Sequence, residues 1–223
     1  MKLDRSSIGA VAIVWALAIP AAVAAVYFIP TPAAGIALAL AALVFAVWQT
    51  LFHGVPDRKC HVEPSFVVSA ADGKVVGIKR VNEREYLCRE CVLVSVYMNF
   101  WDVHANFWPV SGEVTYAMYH PGRHFLAFRP KASEENEHNC LCVRTQDGTE
   151  IFFKQLAGGF ARRVASYASK GQKVKAGEQC GIIKFGSRLD IYLPPDAEIL
   201  VSQGDVVRAC ETPLARLKSE RNA

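Results

Sequence analysis

The chain has 223 residues, enough for one domain of ordinary size and an attachment. Its 52% hydrophobic content and mean hydropathy of +0.16 are high for a domain living wholly in water, and the excess lies at the front. The net charge of +4 is modest, and no stretch combines dense basic charge with interleaved aromatics, which argues against nucleic-acid binding.

Between Arg5 and Asp57 there is no Asp, Glu, Lys or Arg. Two apolar runs fill that interval, Ile8–Ile29 and Ala33–Phe52, separated by Pro30-Thr31-Pro32. Each has about the 20 residues needed to cross a bilayer. A cleavable signal peptide is disfavoured, because the first run is too long and a second follows at once. The pattern predicts a membrane-anchoring helical hairpin over residues 1–59, with spans at 8–29 and 33–52. Lys2 and Arg5 flank one end, Arg58 and Lys59 the other. The positive-inside rule therefore expects both ends, and the domain that follows, on the cytoplasmic side of the cell (inner) membrane. The Ala-rich composition leaves a shallow re-entrant pair as the alternative.

After Lys59 the texture turns strand-like. Phe66–Ser69, Lys74–Arg80, Val92–Met98, Val110–Met118, Cys140–Thr145, Ile151–Leu156, Gly181–Phe185 and Leu189–Leu193 read as short strands punctuated by turn signals such as Asp72-Gly73 and Asp147-Gly148. They predict a mainly β, sandwich or barrel-like domain over residues 60–223. Ala157–Ser169 reads as the one helical stretch of this part, although its first half suits a strand equally. A repeat relates Gly171-Gln-Lys-Val-Lys-Ala-Gly-Glu178 to Gly204-Asp-Val-Val-Arg-Ala-Cys-Glu211. The pattern resembles the turns of biotinyl/lipoyl-type hammerhead folds. No lysine sits at a hairpin tip between small or Met neighbours, so the repeat speaks to architecture and not to a carrier function.

Seven cysteines include two close pairs, Cys88/Cys91 and Cys140/Cys142. Four such thiols could ligate zinc if the pairs met in space. Apolar strand-like residues follow them instead of zinc-knuckle turns, so reduced, mostly buried thiols are the expectation and no residue is assigned as a metal ligand.

The most informative stretch is Gly181–Pro194, a strand pattern with Gly186-Ser187 at its middle. A glycine there marks a bulge or a close backbone approach. Phe185-Gly-Ser-Arg-Leu-Asp-Ile-Tyr-Leu-Pro194 resembles the self-cleavage segment of the short, bacterial and archaeal type of phosphatidylserine decarboxylase. Three further segments resemble that family in the same order: Ser69-Ala-Ala-Asp-Gly73, Trp101-Asp-Val-His-Ala-Asn-Phe-Trp-Pro-Val-Ser-Gly112, and Tyr119-His-Pro-Gly122 with Lys131–Glu137.

The resemblance implies that Ser187 attacks the Gly186 carbonyl and converts the amide to an ester. Elimination then yields dehydroalanine, which hydrolyses to a covalent pyruvoyl group and ammonia. The chain would end as a large piece, 1–186, and a small piece, 187–223, that stay partners. The pyruvoyl cofactor would form a Schiff base with phosphatidylserine and release phosphatidylethanolamine. Asp72 is implied to assist self-cleavage and His104 to serve decarboxylation. Where longer relatives carry a second histidine this chain has Phe107, so Asp72, His104 and His120 are all candidates for deprotonating Ser187. Asn106, His120, Arg123 and Lys131 are candidate substrate-binding residues; Arg123, Arg129 or Lys131 would meet the lipid phosphate. Asn136 and Glu137 would support the site wall. A homo-oligomer is compatible with this reading. The rival is a membrane-anchored, non-enzymatic hammerhead or zinc-binding module that is never cleaved.

Overall fold

A computed structural model describes residues 1–123, 125, 135–159, 163–184 and 187–218. The chain forms two compact units, Met1–Asp57 and Arg58–Ala223.

In the first unit, β1 (Lys2–Leu3) precedes α1 (Ile8–Phe28), and α2 (Pro32–Phe52) precedes β2 (Gly54–Val55). β1 and β2 pair antiparallel and tie the two ends together. Pro32 opens α2, where its missing N–H costs nothing. Small residues line the contact between the helices: Ala22, Ala25 and Ala39 pack together, and a Cβ at Gly35 would come within 2.6 Å of the Ala25 carbonyl oxygen. Trp15 Nε1 donates to Thr50 Oγ1 at 2.9 Å across the same contact. Ile13, Leu17, Val23, Leu38 and Val44 point outward. Small residues inside and large apolar ones outside are what lipid, rather than water, rewards. Both helices are long and apolar enough to cross a membrane.

The second unit is built from β3 (Phe66–Val68), β4 (Gly73–Glu83), β5 (Arg89–Met98), β6 (Ala105–Phe107), β7 (Gly112–His120), β8 (His138–Arg144) and β9 (Glu150–Ala157). It continues with β10 (Arg163–Ser166), β11 (Lys173–Val174), β12 (Gln179–Lys184), β13 (Ser187–Leu193), β14 (Glu198–Ile199), β15 (Val206–Val207) and β16 (Pro213–Arg216). The fold is mainly β, as the strand-and-turn pattern predicts. An eight-stranded curled sheet runs β11-β7-β8-β9-β13-β5-β4-β15; β10-β12-β6 and β14-β16-β3 form two smaller sheets. Among its described residues the stretch expected to be helical is not: β9 runs through Ala157, and β10 occupies 163–166, paired with β12. Val164 packs in the core and has a strand's alternation available to it, so tertiary pairing overrides the weak helical pattern.

The repeat acquires a structural meaning. Its two copies supply β11 and β15, the two edge strands of the large sheet. Each copy turns on a glycine in the left-handed region, Gly171 at φ +84° and Gly204 at φ +105°. Six residues on, the first copy places Gly177 (φ +85°) and the second Cys210 (φ +68°), and the two positions touch, Cys210 Sγ lying 3.8 Å from the Gly177 carbonyl oxygen.

The large sheet has two different faces. Val94, Val96, Leu141, Phe153, Leu189 and Ile191 belong to the main core. Alternate residues on the same strands, including Leu93, Cys140, Cys142, Phe152 and Tyr192, form a second cluster. That face also carries charge: Arg188 Nε lies 2.9 Å from Asp190 Oδ1, and Ser95 Oγ donates to the same carboxylate at 2.6 Å.

Candidate active site

β13 is the central strand of the sheet, hydrogen-bonded to β5 on one side and β9 on the other, and every residue in it is buried. Ser187 heads it, facing Met98 on β5 and Ala157 on β9. β12 ends in a small sheet at Lys184, and the next described residue, Ser187, begins β13 in the large sheet. Gly186 and Lys131 lie outside the described residues, as does Arg129.

A polar chain leads away from Ser187 through the core face. Ser187 Oγ is 3.5 Å from Met98 Sδ, and Asn106 Nδ2 approaches the same sulfur at 3.6 Å. Gln155 Nε2 donates to Asn106 Oδ1 at 2.8 Å. All three polar residues are fully buried. β6 brings Asn106 here by pairing with β12, Gly181 opposite Asn106 and Ile182 opposite Ala105.

His104 is also fully buried, just ahead of β6. Its Nδ1 lies 2.8 Å from the Asp102 carbonyl oxygen. A carbonyl can only accept, so Nδ1 carries the proton and Nε2 is the nitrogen left for proton exchange in the neutral ring. The sequence suggests that Asp102 orients His104 from the same strand face; instead Asp102 sits in a turn and acts through its backbone. Its carboxylate accepts the Asn99 N–H at 2.8 Å. Burial pushes that carboxyl above its usual range; the Asn99 bond opposes the shift and the charge of Asp72 adds to it.

Asp72 is nearby, in the turn before β4. The Phe107 N–H donates to the Ala70 carbonyl at 2.9 Å, which docks this turn on β6. Gly73, at φ +146°, lies so close to β5 that a Cβ would meet the Tyr97 carbonyl carbon at 2.8 Å and Met98 Cα at 3.3 Å. Only glycine allows that approach. The Asp72 carboxylate accepts both terminal nitrogens of Arg58, Nη2 to Oδ2 at 2.8 Å, and the Ala209 N–H at 2.8 Å. The hydrogen bond to Asp72 holds the Arg58 guanidinium above its ordinary pKa, against the cost of its burial.

The structure thus brings Ser187, Asn106, His104 and Asp72 to one region and does not bring His120 there. His120 pairs with His138, His138 with Leu156, and Leu156 with Arg188, which places all four on the face opposite Ser187. His120 Nε2 lies 2.8 Å from Glu85 Oε1. Arg123 is exposed and bridges to Asn136. Buried Asn136 donates to the Ala157 carbonyl at 2.6 Å, beside Ser187's partner, and the Glu137 carboxylate accepts the Val164 N–H at 3.1 Å.

Three contributors escape the sequence reading: Met98, Gln155 and Arg58. Gln155 had a signal. It occupies the inward register of Ile151, Phe153 and Ala157, where a polar residue demands a buried partner. Arg58 reads in sequence only as a charge flanking an apolar run.

Fold and site together define a mainly β protein with a serine-headed, buried polar site and an apolar helical hairpin at its N-terminal end. Residues 45–215 match the phosphatidylserine decarboxylase family. Among curated relatives, the phosphatidylserine decarboxylase proenzyme of Syntrophus aciditrophicus is 44% identical over 177 residues, 79% of this chain and 82% of its own. That of Amoebophilus asiaticus is 40% identical over 184 residues, 82% of each chain. That of Nitrosomonas eutropha is 38% identical over 185 residues, 83% of this chain and 85% of its own. The chain belongs to the phosphatidylserine decarboxylase family.

Proposed function

We propose that this chain is a self-processing, pyruvoyl-dependent phosphatidylserine decarboxylase held at a membrane by its N-terminal hairpin. The observation that carries the reading is the setting of Ser187. A serine hydroxyl sits buried at the head of a central strand, and Asn106 approaches the same Met98 sulfur as Ser187 does. The Ser187 oxygen attacks the Gly186 carbonyl, and the resulting ester breaks by elimination, the 1–186 piece leaving with the carboxylate. Hydrolysis of the dehydroalanine at 187 releases ammonia.

The site suits a group made from Ser187 itself. It would occupy the same buried position between Met98 and Ala157, with the Asn106 amide at its side. Its carbonyl, adjacent to the amide that links it to Arg188, supplies an electron sink for loss of carbon dioxide from an amine-bearing substrate. His104 offers the Nε2 lone pair for a proton and, once protonated there, an N–H for the substrate carboxylate. Asp72 already accepts three hydrogen bonds and acts as a fixed negative charge, which leaves His104 the stronger candidate base for self-cleavage. Phe100 and Trp101, 39% and 84% exposed in the turn before His104, give the site an apolar rim suited to a lipid head-group layer. The proposed division sets the hairpin before Arg58 and the decarboxylase domain from Arg58 on, since that arginine holds Asp72, with the catalytic face toward the cytoplasm.

The test is an intact mass under denaturing conditions beside a Ser187→Ala control, followed by turnover of phosphatidylserine vesicles. Two fragments split between 186 and 187, the smaller with a pyruvoyl cap, together with a single-chain control and phosphatidylethanolamine product, support the reading. A full-length mass in both proteins removes the electrophile and with it the proposal.

A further inference from the structure

On the sheet face away from Ser187, four side chains with metal-binding chemistry converge: Glu85, His120, His138 and Cys140. One ligand atom from each lies within 4.8 Å of all the others. Four ligands around one zinc ion stand about 3.3–3.8 Å apart, from bond lengths near 2.0–2.3 Å in a tetrahedron. The contraction required is within reach of rotamer adjustments, because Glu85 Oε1, the oxygen that Lys154 does not hold, already stands 2.8 Å from His120 Nε2.

The scaffold is preset for this. His120 and His138 are directly opposed on β7 and β8, with rings stacked at 4.7 Å, and Cys140 is next on the same face of β8. His138 Nδ1 lies 2.6 Å from the Asn136 carbonyl oxygen, so Nδ1 carries the proton and Nε2 presents its lone pair. Metal-bound histidines characteristically use a backbone carbonyl in this way to fix tautomer and aim. Lys154 Nζ holds Glu85 Oε2 at 2.7 Å, leaving Oε1 as the ligand oxygen. His138 and Cys140 are buried, whereas His120 and Glu85 are half-buried, which gives an ion a route in.

We propose that Glu85, His120, His138 and Cys140 form a structural site for one divalent metal ion of zinc type. Two imidazoles, a thiolate and a carboxylate fill a tetrahedron and suit a borderline-soft cation better than magnesium or calcium. Binding transfers the Cys140 proton to solvent and shifts the His120 proton from Nε2, where it now bonds Glu85, to Nδ1; the thiolate and Glu85 balance the dication. The ion joins the last residue of β7 to the first of β8, where the 121–137 connection leaves and re-enters the sheet. It therefore braces the strand pair that carries Asn136 toward Ala157. The thiols of the Cys88/Cys91 pair take no part: Cys88 is exposed, and Cys91 is buried in the second cluster and does not belong to the converging four.

The experiment uses the full-length chain in detergent, with any affinity tag removed, stripped with chelator and titrated with cobalt(II). The expected result is one equivalent bound, with the intense visible bands of a tetrahedral ion and a thiolate-to-cobalt charge-transfer band. Cys140→Ser should lose the charge-transfer band, His120→Ala should weaken binding at least about tenfold, and Cys91→Ser should keep both. Zinc should raise the melting temperature of the wild type and not of Cys140→Ser; the intact mass of each variant, read for self-cleavage, checks its folding. Absence of a stoichiometric cobalt spectrum in the folded wild type would overturn the proposal. So would a charge-transfer band that survives Cys140→Ser or disappears with Cys91→Ser.

Discussion

Replacing Asp190 by Ala tests how the central strand is held. Asp190 is fully buried and Arg188 is 5% exposed, one residue from the candidate cleavage site. The carboxylate accepts hydrogen bonds from Arg188 Nη2 at 2.9 Å and Ser95 Oγ at 2.6 Å, and Arg188 Nε completes the ion pair at 2.9 Å. Removing one partner from a buried pair typically costs about 3–5 kcal/mol, since a charge is stranded away from water. For a unit of this size each kcal/mol lowers the melting temperature by about 2–4 °C, so the variant should melt roughly 6–20 °C lower. The assay belongs in a Ser187→Ala background, so that a single uncut chain unfolds, followed by circular dichroism in detergent. The double variant Arg188→Leu/Asp190→Leu should recover most of the loss, because apolar residues of similar volume replace buried pairs at little cost. A single-variant loss below about 1 kcal/mol, or a double variant as damaged as the sum of the singles, would refute the assignment.

Further outcomes follow from other parts of the molecule. Under native conditions a thiol reagent should label exposed Cys88 first and half-buried Cys60 more slowly, and spare the other five until unfolding; mass mapping reads the order. Burial and then the neighbouring Cys60 push the Cys210 thiol up to about 12, and burial raises that of Cys180 further still. Gln155→Leu should leave the buried Asn106 carbonyl without its donor and cost about 1–3 kcal/mol, seen as a lower melting temperature and slower self-cleavage in a time course. Trp101→Ser should reduce turnover of phosphatidylserine in vesicles roughly tenfold, the loss of about half a tryptophan's apolar burial, while self-cleavage proceeds at the wild-type rate.

Much of the architecture is legible in one dimension because it rests on periodicity. Ile8–Phe28 and Pro32–Phe52 announce themselves by length and lack of charge, and the alternation in Arg89–Met98 and Ser187–Leu193 fits strands facing two different clusters. The short strands are not legible. Ala105–Phe107 has only three residues and no alternation, and it exists because Gly181 and Ile182 hydrogen-bond to it from a distant part of the chain. The site shows the same division. Ser187, His104 and Asp72 stand in short local patterns, whereas Arg58 meets Asp72 through tertiary packing that no local spacing encodes. His120 illustrates the converse: the family-like segment Tyr119-His-Pro-Gly122 suggests a place in the site, but a strand's pleat and register carry it to the other face.

The same register predicts what self-cleavage does not do. A cut between 186 and 187 leaves β13 paired along seven positions with β5 and six with β9. Downstream, β15 remains paired with β4 and β16 with β3, so strands of the small piece are interleaved with strands of the large one in both sheets. Leu189, Ile191, Leu193 and Leu214 are fully buried in the shared core. At about 1.5–3 kcal/mol each, these four side chains alone bring on the order of 6–12 kcal/mol of apolar burial, beyond the backbone ladders. The break therefore creates a new chain end without creating a new subunit boundary. The two pieces should elute together from a sizing column in mild detergent, at the position of the uncut Ser187→Ala chain, and separate only in denaturant. A small piece that dissociates under native conditions would mean that β13 is not held as the central strand, and the buried setting of Ser187 would fall with it.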